Sequence, residues 1–421
     1  MKKTERRALL ICAVLIFSLL SMSSCVLTSS DSVTKTEVQQ MLNNSMMGNV
    51  TVEGGGSYDV TINGVPSNNA IAGKALLSAV SIRCKFQVKS GILGFPYGSL
   101  ITKEAESAGS GVIYKLDKNR GDAYIVTNYH VVYDSQSVTD NGISESITVY
   151  LYGQEAEAYA IPATYVGGSM QYDIAILKVA GSRVIAESNA MEATFGDSDS
   201  VSVLDQAIAI GNAEGLGISA TLGYINVDSE YIEMDALDGA GIVRVRVMRI
   251  DSAVNSGNSG GGLFNNKGEV IGIVNAKLVS SDNVSYAIPS NFVKYVAENI
   301  MYYCNGSENE KVYRCYLGIE VTASKMYTVY DLESGKVYKK EQVKVSAITS
   351  GGLADGNLAV GDVINSITID GVKYETNRMY SVLDPMLNAR VGSVVTVNIT
   401  RGTETLDVKI TVTENALTKI Q

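Results

Sequence analysis

A chain of 421 residues is longer than one domain usually needs, and its 46% hydrophobic content is enough for a sizeable core. A formal net charge of −10 repels phosphate backbones and excludes nucleic acid as a natural partner, while a single histidine, His130, excludes any metal site built on two or three imidazoles. With 40 glycines, 5 prolines and 24 tyrosines, the composition favours short strands joined by tight turns, so a mainly β chain of two or three domains is expected.

At the N-terminus Lys2, Lys3, Arg6 and Arg7 precede an apolar run from Ala8 to Leu20, followed by the small residues Ser21, Ser23 and Ser24 ahead of Cys25. This is the layout of an export signal, and its ending resembles the bacterial lipoprotein signal, which implies lipidation at Cys25. Since no charge occurs between Ala8 and Ser30, an uncleaved membrane anchor is an open alternative, as is simple secretion. All three readings place the rest of the chain outside the cytoplasm, with the first two tethering it to a membrane. Residues 26–70 are rich in Ser, Thr, Asn and Gly and read as a polar tether, with one short alternating strand at Tyr58–Ile62.

From residue 71 to 303, β-branched runs such as Ala123–Thr127 and Glu269–Val274 alternate with Gly, Asn and Asp turns, the spacing of a barrel or sandwich. Strict alternation over Val80–Val88 puts Cys84 on an apolar face as a core residue. A helix capped by Ser290 and running from Asn291 to Ile300 closes this region, with Phe292, Val296 and Ile300 on one face. Cys304 and Cys315 flank a polar loop and, in oxidising surroundings, would either close it as a disulfide or remain two thiols. Residues 312–415 form a second β unit with strands near Val343–Ile348, Val363–Ile369 and Val394–Thr400, a helix near Arg378–Ala389, and a long hairpin over Met326–Gln342 that turns at Glu333–Lys336.

Three segments carry chemistry together: Thr127–Val132, Tyr172–Val179 and Asn255–Gly261. A serine hydroxyl is a poor nucleophile at neutral pH and needs a base of pKa near 7, which His130 supplies for Ser259. A carboxylate on the other ring nitrogen fixes the tautomer and stabilises the imidazolium, the role assigned to Asp173. The glycine-rich segment Gly257, Asn258, Ser259 is the candidate oxyanion hole, with the Gly257 and Ser259 N–H groups converging on the tetrahedral intermediate. The reaction calls for no metal or organic cofactor. The order His, Asp, Ser is that of the chymotrypsin-like proteases.

These segments, with Gly109–Val112, Gly268–Ala276 and Tyr286–Ser290, resemble the active-site motifs of the HtrA (Deg) serine proteases from about Ala75 onward. The resemblance implies a chymotrypsin-like double β-barrel followed by a PDZ domain, and cleavage of unfolded or damaged proteins. Tyr316-Leu317-Gly318-Ile319 is similar to the loop that holds a peptide C-terminus in an HtrA PDZ domain, whose next strand accepts the peptide by β-augmentation. The family layout also implies a homotrimer and puts Ala253 at the base of the primary pocket, with Val254 and Ile273 as wall residues. Lacking an acid there, the pocket is expected to take small or medium apolar side chains. Two rival readings stay open: a catalytically latent, chaperone-like scaffold on the protease fold, and an adaptor in which the PDZ domain is the working part.

Overall fold

The computed structural model describes residues 50–53, 59–62, 65–66, 68–93, 99–277, 284–304 and 312–420. The export signal and Cys25 lie outside the described residues, and among those residues no helix is long and apolar enough to cross a membrane. Residues 1–67 form a unit of their own, in which β1 (Val50–Glu53), β2 (Asp59–Ile62) and β3 (Val65–Pro66) make a small antiparallel sheet where the sequence predicted a single strand.

The second unit, Asn68–Gln421, opens with helix α1 (Asn68–Leu76) and continues into a closed six-stranded barrel. Its strands are β4 (Ala79–Leu93), β5 (Ser99–Asp117), β6 (Asp122–Thr127), β7 (Ser146–Leu151), β8 (Ile161–Ser169) and β9 (Ile174–Val179). A second closed barrel follows from β10 (Gln206–Gly211), β11 (Ser219–Asp235), β12 (Ile242–Ile250), β13 (Gly262–Phe264), β14 (Val270–Lys277) and β15 (Ser285–Pro289). This is the double barrel that the motifs implied, and Cys84 is fully buried inside the first, its thiol pushed up to about 12 by burial.

Strand β9 shows why the carboxylate segment reads as a continuous apolar run. Ala175, Leu177 and Val179 fill the first barrel, while Ile174 and Ile176 face the core shared between the barrels, so both faces are buried. Strand β14 is divided in the same way, Ile271 and Val274 pointing into the second barrel and Val270 and Ile273 into the shared core. Each fully buried isoleucine stabilises the fold by about 1.5–3 kcal/mol. The two strands thus deliver their polar ends, Asp173 and Asn275, to one place between the barrels.

Helix α4 (Ser290–Tyr303; α2 and α3 are the short Tyr129–Val132 and Arg183–Glu187) buries Phe292, Val296 and Ile300 as expected. Ser290 is not its cap: the residue lies within the helix and its hydroxyl donates to the Gly196 carbonyl, the capping position being Pro289. Cys304 and Cys315 are not joined, because Cys304 packs into the shared barrel core and Cys315 into the core of the C-terminal unit. Burial pushes the Cys315 thiol up to about 11.

The C-terminal unit is a sheet in the order β17 (Ile319–Tyr330), β18 (Val337–Ile348), β19 (Val363–Ile369), β21 (Val394–Arg401), β22 (Glu404–Thr411), with β20 (Val372–Glu375) paired to β19. Strand β16 (Val312–Cys315) pairs with β23 (Leu417–Ile420), bringing both ends of the unit together. The predicted helix near Arg378–Ala389 is split into α5 (Tyr380–Leu383) and a 3₁₀ turn, Asp384–Asn388, with Pro385 at the start of that turn.

Polar contacts fasten this unit to the second barrel. The hairpin β17–β18 lies along it: Lys336 Nζ reaches Asp205, the Val337 carbonyl accepts from Ser202, and Lys339 meets Asp228. Arg378 bridges Asp228 and Glu341. Deeper, the buried Arg246 guanidinium lies 3.0 Å from Asp384 and 3.9 Å from the Tyr380 ring centroid, with Arg314 at 3.9 Å on the other side of the carboxylate. Burial pushes the Asp384 carboxyl up, against the pull of both guanidiniums. Asp384→Ala removes the nearer of the two carboxylates beside buried Arg246, leaving Asp199 at 3.6 Å, and is expected to cost about 3 kcal/mol, read as a lowered midpoint in thermal or denaturant unfolding.

Candidate active site

His130 stands in α2, the single turn that follows β6. Its Nδ1 lies 2.7 Å from Asp173 Oδ2, and its backbone N–H donates to Asp173 Oδ1 at 2.9 Å. The carboxylate is therefore gripped at both oxygens by one residue, which sets the plane of the imidazole. Asp173 is 5% exposed and holds a left-handed backbone, φ +51°, which short polar side chains tolerate better than most. Its carbonyl accepts from Asn128 Nδ2, tying the β8–β9 turn to the residue before α2. Burial works to lower the imidazole pKa, but the charge and hydrogen bond of Asp173 outweigh it, and the net direction is upward from 6.5.

Ser259 arrives from the loop between β12 and β13. Gly257 has φ +93°, and a Cβ there would sit 2.2 Å from the Asn212 carbonyl oxygen. Gly260 has φ +83°, and a Cβ would meet the Ser110 carbonyl and Thr127 Oγ1, both at 2.2 Å. The loop is clamped from the first barrel by Ser110, whose hydroxyl donates to the Gly257 carbonyl at 2.7 Å and accepts from the Asn212 N–H, and whose N–H donates to the Ser259 carbonyl. The Ser256 carbonyl is held by the Glu214 N–H at 2.7 Å, and since a trans peptide points its N–H opposite its carbonyl, the Gly257 N–H is turned the other way. Among the described residues neither the Gly257 nor the Ser259 N–H has an acceptor, so both are available to an anion. Asn258 is a correction to the predicted hole: its N–H is spent on the Asn255 carbonyl, closing the turn. Gly257→Ala has no room for its methyl and is expected to lower kcat by about 10²–10³-fold through a displaced donor, with the circular dichroism spectrum unchanged.

Sequence reasoning missed Asn275. Its side-chain amide donates to Asp173 Oδ2 at 2.5 Å, and its main-chain carbonyl accepts the Ser259 hydroxyl at 3.1 Å. In this state the hydroxyl proton points to Asn275 rather than to His130. An Asn directly after the apolar run Val270–Val274, 2% exposed, was the available signal, because a buried amide without partners is costly.

The specificity residues do not come together. Ala253 is exposed and its carbonyl accepts from Thr221, whereas Val254, on the loop after β12, packs inside the second barrel and Ile273 in the shared core, so both side chains are buried away from any substrate.

In the C-terminal unit, Leu317, Gly318 and Ile319 line a cavity of about 460 Å³ together with Val382, Leu383 and Met386. Gly318 has φ +78°, and the Leu317 and Gly318 carbonyls are held by the Ala354 and Thr349 N–H groups, which turns the N–H groups of Gly318 and Ile319 the opposite way. Tyr316 also lines the cavity, but its N–H is spent on the Ala416 carbonyl. Strand β17, which follows the loop, is an edge of its sheet.

A model of the trypsin-like peptidase domain matches residues 109–273. The chain is 36% identical over 216 residues to the serine protease Do-like HtrB of Bacillus subtilis, covering 50% of this chain and 41% of that protein. It is 29% identical over 333 residues to the serine protease Do-like HtrA of Lactococcus lactis, covering 73% of each. Among solved structures, the HtrA-type protease AlgW with a tripeptide shares the fold, with a TM-score of 0.50 at 24% identity over 84% of this chain and 98% of that one. The chain thus carries a trypsin-like peptidase domain and is similar over most of its length to serine proteases of the HtrA type.

Proposed function

We propose that the protein is an extracytoplasmic endopeptidase that cleaves unfolded or damaged proteins through His130, Asp173 and Ser259, and that its C-terminal unit binds peptide C-termini. The observation that carries this reading is the 2.7 Å contact between His130 Nδ1 and Asp173 Oδ2, beside a serine whose loop offers two unspent N–H groups. His130 takes the Ser259 proton as Oγ bonds to the substrate carbonyl carbon, and the oxyanion is received by the Gly257 and Ser259 amides. The imidazolium, steadied by Asp173, then protonates the leaving amine as the C–N bond breaks. Water, deprotonated by His130, hydrolyses the acyl-enzyme and restores the serine. The Gly318 and Ile319 amides take a terminal carboxylate, the apolar cavity beneath takes its side chain, and the peptide pairs along β17. The N-terminal signal supports export and tethering through Cys25 or an uncleaved anchor, and trimer assembly remains an expectation from the family.

One observation favours the latent reading in the resting molecule: the Ser259 hydroxyl donates to Asn275 rather than to His130. The test is incubation with unfolded casein, with and without a peptide ending in a free apolar residue. Cleavage in either condition supports the protease, while a folded protein that binds the peptide and cleaves nothing returns the scaffold reading.

A further inference from the structure

We infer that Asn275 is a positioning residue that acts on His130 through the catalytic carboxylate: its side-chain amide donates to Asp173 and sets how much of the carboxylate's charge the imidazole feels. This rests on the reading of His130, Asp173 and Ser259 given above. Asp173 Oδ1 accepts the His130 backbone N–H at 2.9 Å, and Oδ2 accepts both the imidazole Nδ1 at 2.7 Å and the Asn275 amide at 2.5 Å. The amide orientation is dictated by chemistry, because an ionised carboxylate only accepts and Nδ2 is the only donor on an asparagine side chain. Asn275 sits at the polar end of β14 with its apolar neighbours locked in two cores, so the amide is presented by a rigid strand. The Asn275 Oδ1 atom is buried with no hydrogen-bond partner, a cost that a merely space-filling residue would not incur. The same residue accepts the Ser259 hydroxyl at its main-chain carbonyl, so one residue touches both ends of the proton path.

An amide donating to the carboxylate spreads its charge and makes it a weaker partner for the imidazolium. Without that donor, Asp173 remains held by His130 at both oxygens but concentrates its charge on the ring. Asp173 is the only ionisable side chain found to act on the imidazole, so the change is expected to appear there undiluted.

The molecule supplies its own probe, since His130 is the only histidine in the chain and its ring signals need no assignment by mutation. Imidazole NMR titration of the full chain carrying Ser259→Ala is compared with the same chain also carrying Asn275→Ala or Asn275→Ser. Asn275→Ala is expected to raise the titration midpoint by about 0.5 pH unit, and Asn275→Ser, which returns one donor on a shorter arm, to fall between. With Ser259 intact, Asn275→Ala is expected to lower kcat about tenfold with KM unchanged. An unmoved or lowered midpoint in both variants, with native unfolding midpoints, overturns the inference. Because the titration needs no turnover, it stands apart from the casein test: loss of cleavage there would sink the protease reading without moving this result.

Discussion

Ser259→Ala is expected to reduce cleavage of unfolded protein by about 10⁵-fold, with peptide binding by the C-terminal unit intact. The reasoning is local. The hydroxyl is the only atom lost, the loop is held by Ser110, Gly257 and Gly260 rather than by the Ser259 side chain, and no core residue depends on that oxygen. What survives is the pair of oxyanion amides acting on water attack, which accounts for the small residual rate. Comparing initial rates of casein cleavage, beside a terminal-carboxylate peptide binding isotherm, checks both halves. A variant that retained wild-type cleavage would place the nucleophile elsewhere.

Asp173→Asn is expected to lower kcat by about 10⁴-fold, because the amide can donate to His130 Nδ1 and trap the ring with its proton on the nitrogen that faces Ser259. It also tests the electrostatics. Asp173 raises the imidazole pKa above 6.5, so the neutral, active base is lost at a higher pH than for a free histidine, and the acidic limb of kcat/KM lies above that value. The contribution of the pair to folding runs the other way. A raised folded pKa stabilises the native state fully below 6.5 and loses that contribution as pH climbs through the raised value. Stability from this pair therefore fades over the pH range in which activity appears. In Asp173→Asn the imidazole midpoint is expected to fall below its wild-type value, read from the same single-histidine NMR signal.

The fold was legible where burial on both faces leaves a mark in the residues. Apolar runs such as Ile174–Leu177 mark a strand buried on both faces, and the glycines around Ser259 announced a tight turn. The pairing of His130 with Asp173 was legible from chain order. Distances across the barrels were not: Asn275 lies 102 residues from Asp173, and nothing local says that a strand end will meet a turn in the other barrel. The choice between a Cys304–Cys315 disulfide and two thiols stayed open for the same reason, since flanking a loop does not say which core each thiol faces. Val254 and Ile273 were apolar and near the nucleophile in sequence, but which core a side chain enters follows strand register for Ile273 and the path of the loop after β12 for Val254, which residue spacing alone does not give.

The closure of both barrels also decides where another extended chain can join this one. A closed barrel has no row of unpaired backbone N–H and carbonyl groups, so neither barrel offers a template to a neighbouring strand. In the C-terminal unit the sheet ends at β17 and β22, and only β17 begins at the loop that opens the apolar cavity. Under the proposed function, half-folded chains are met by an edge that reads a chain end, while the catalytic body stays inert to indiscriminate stacking.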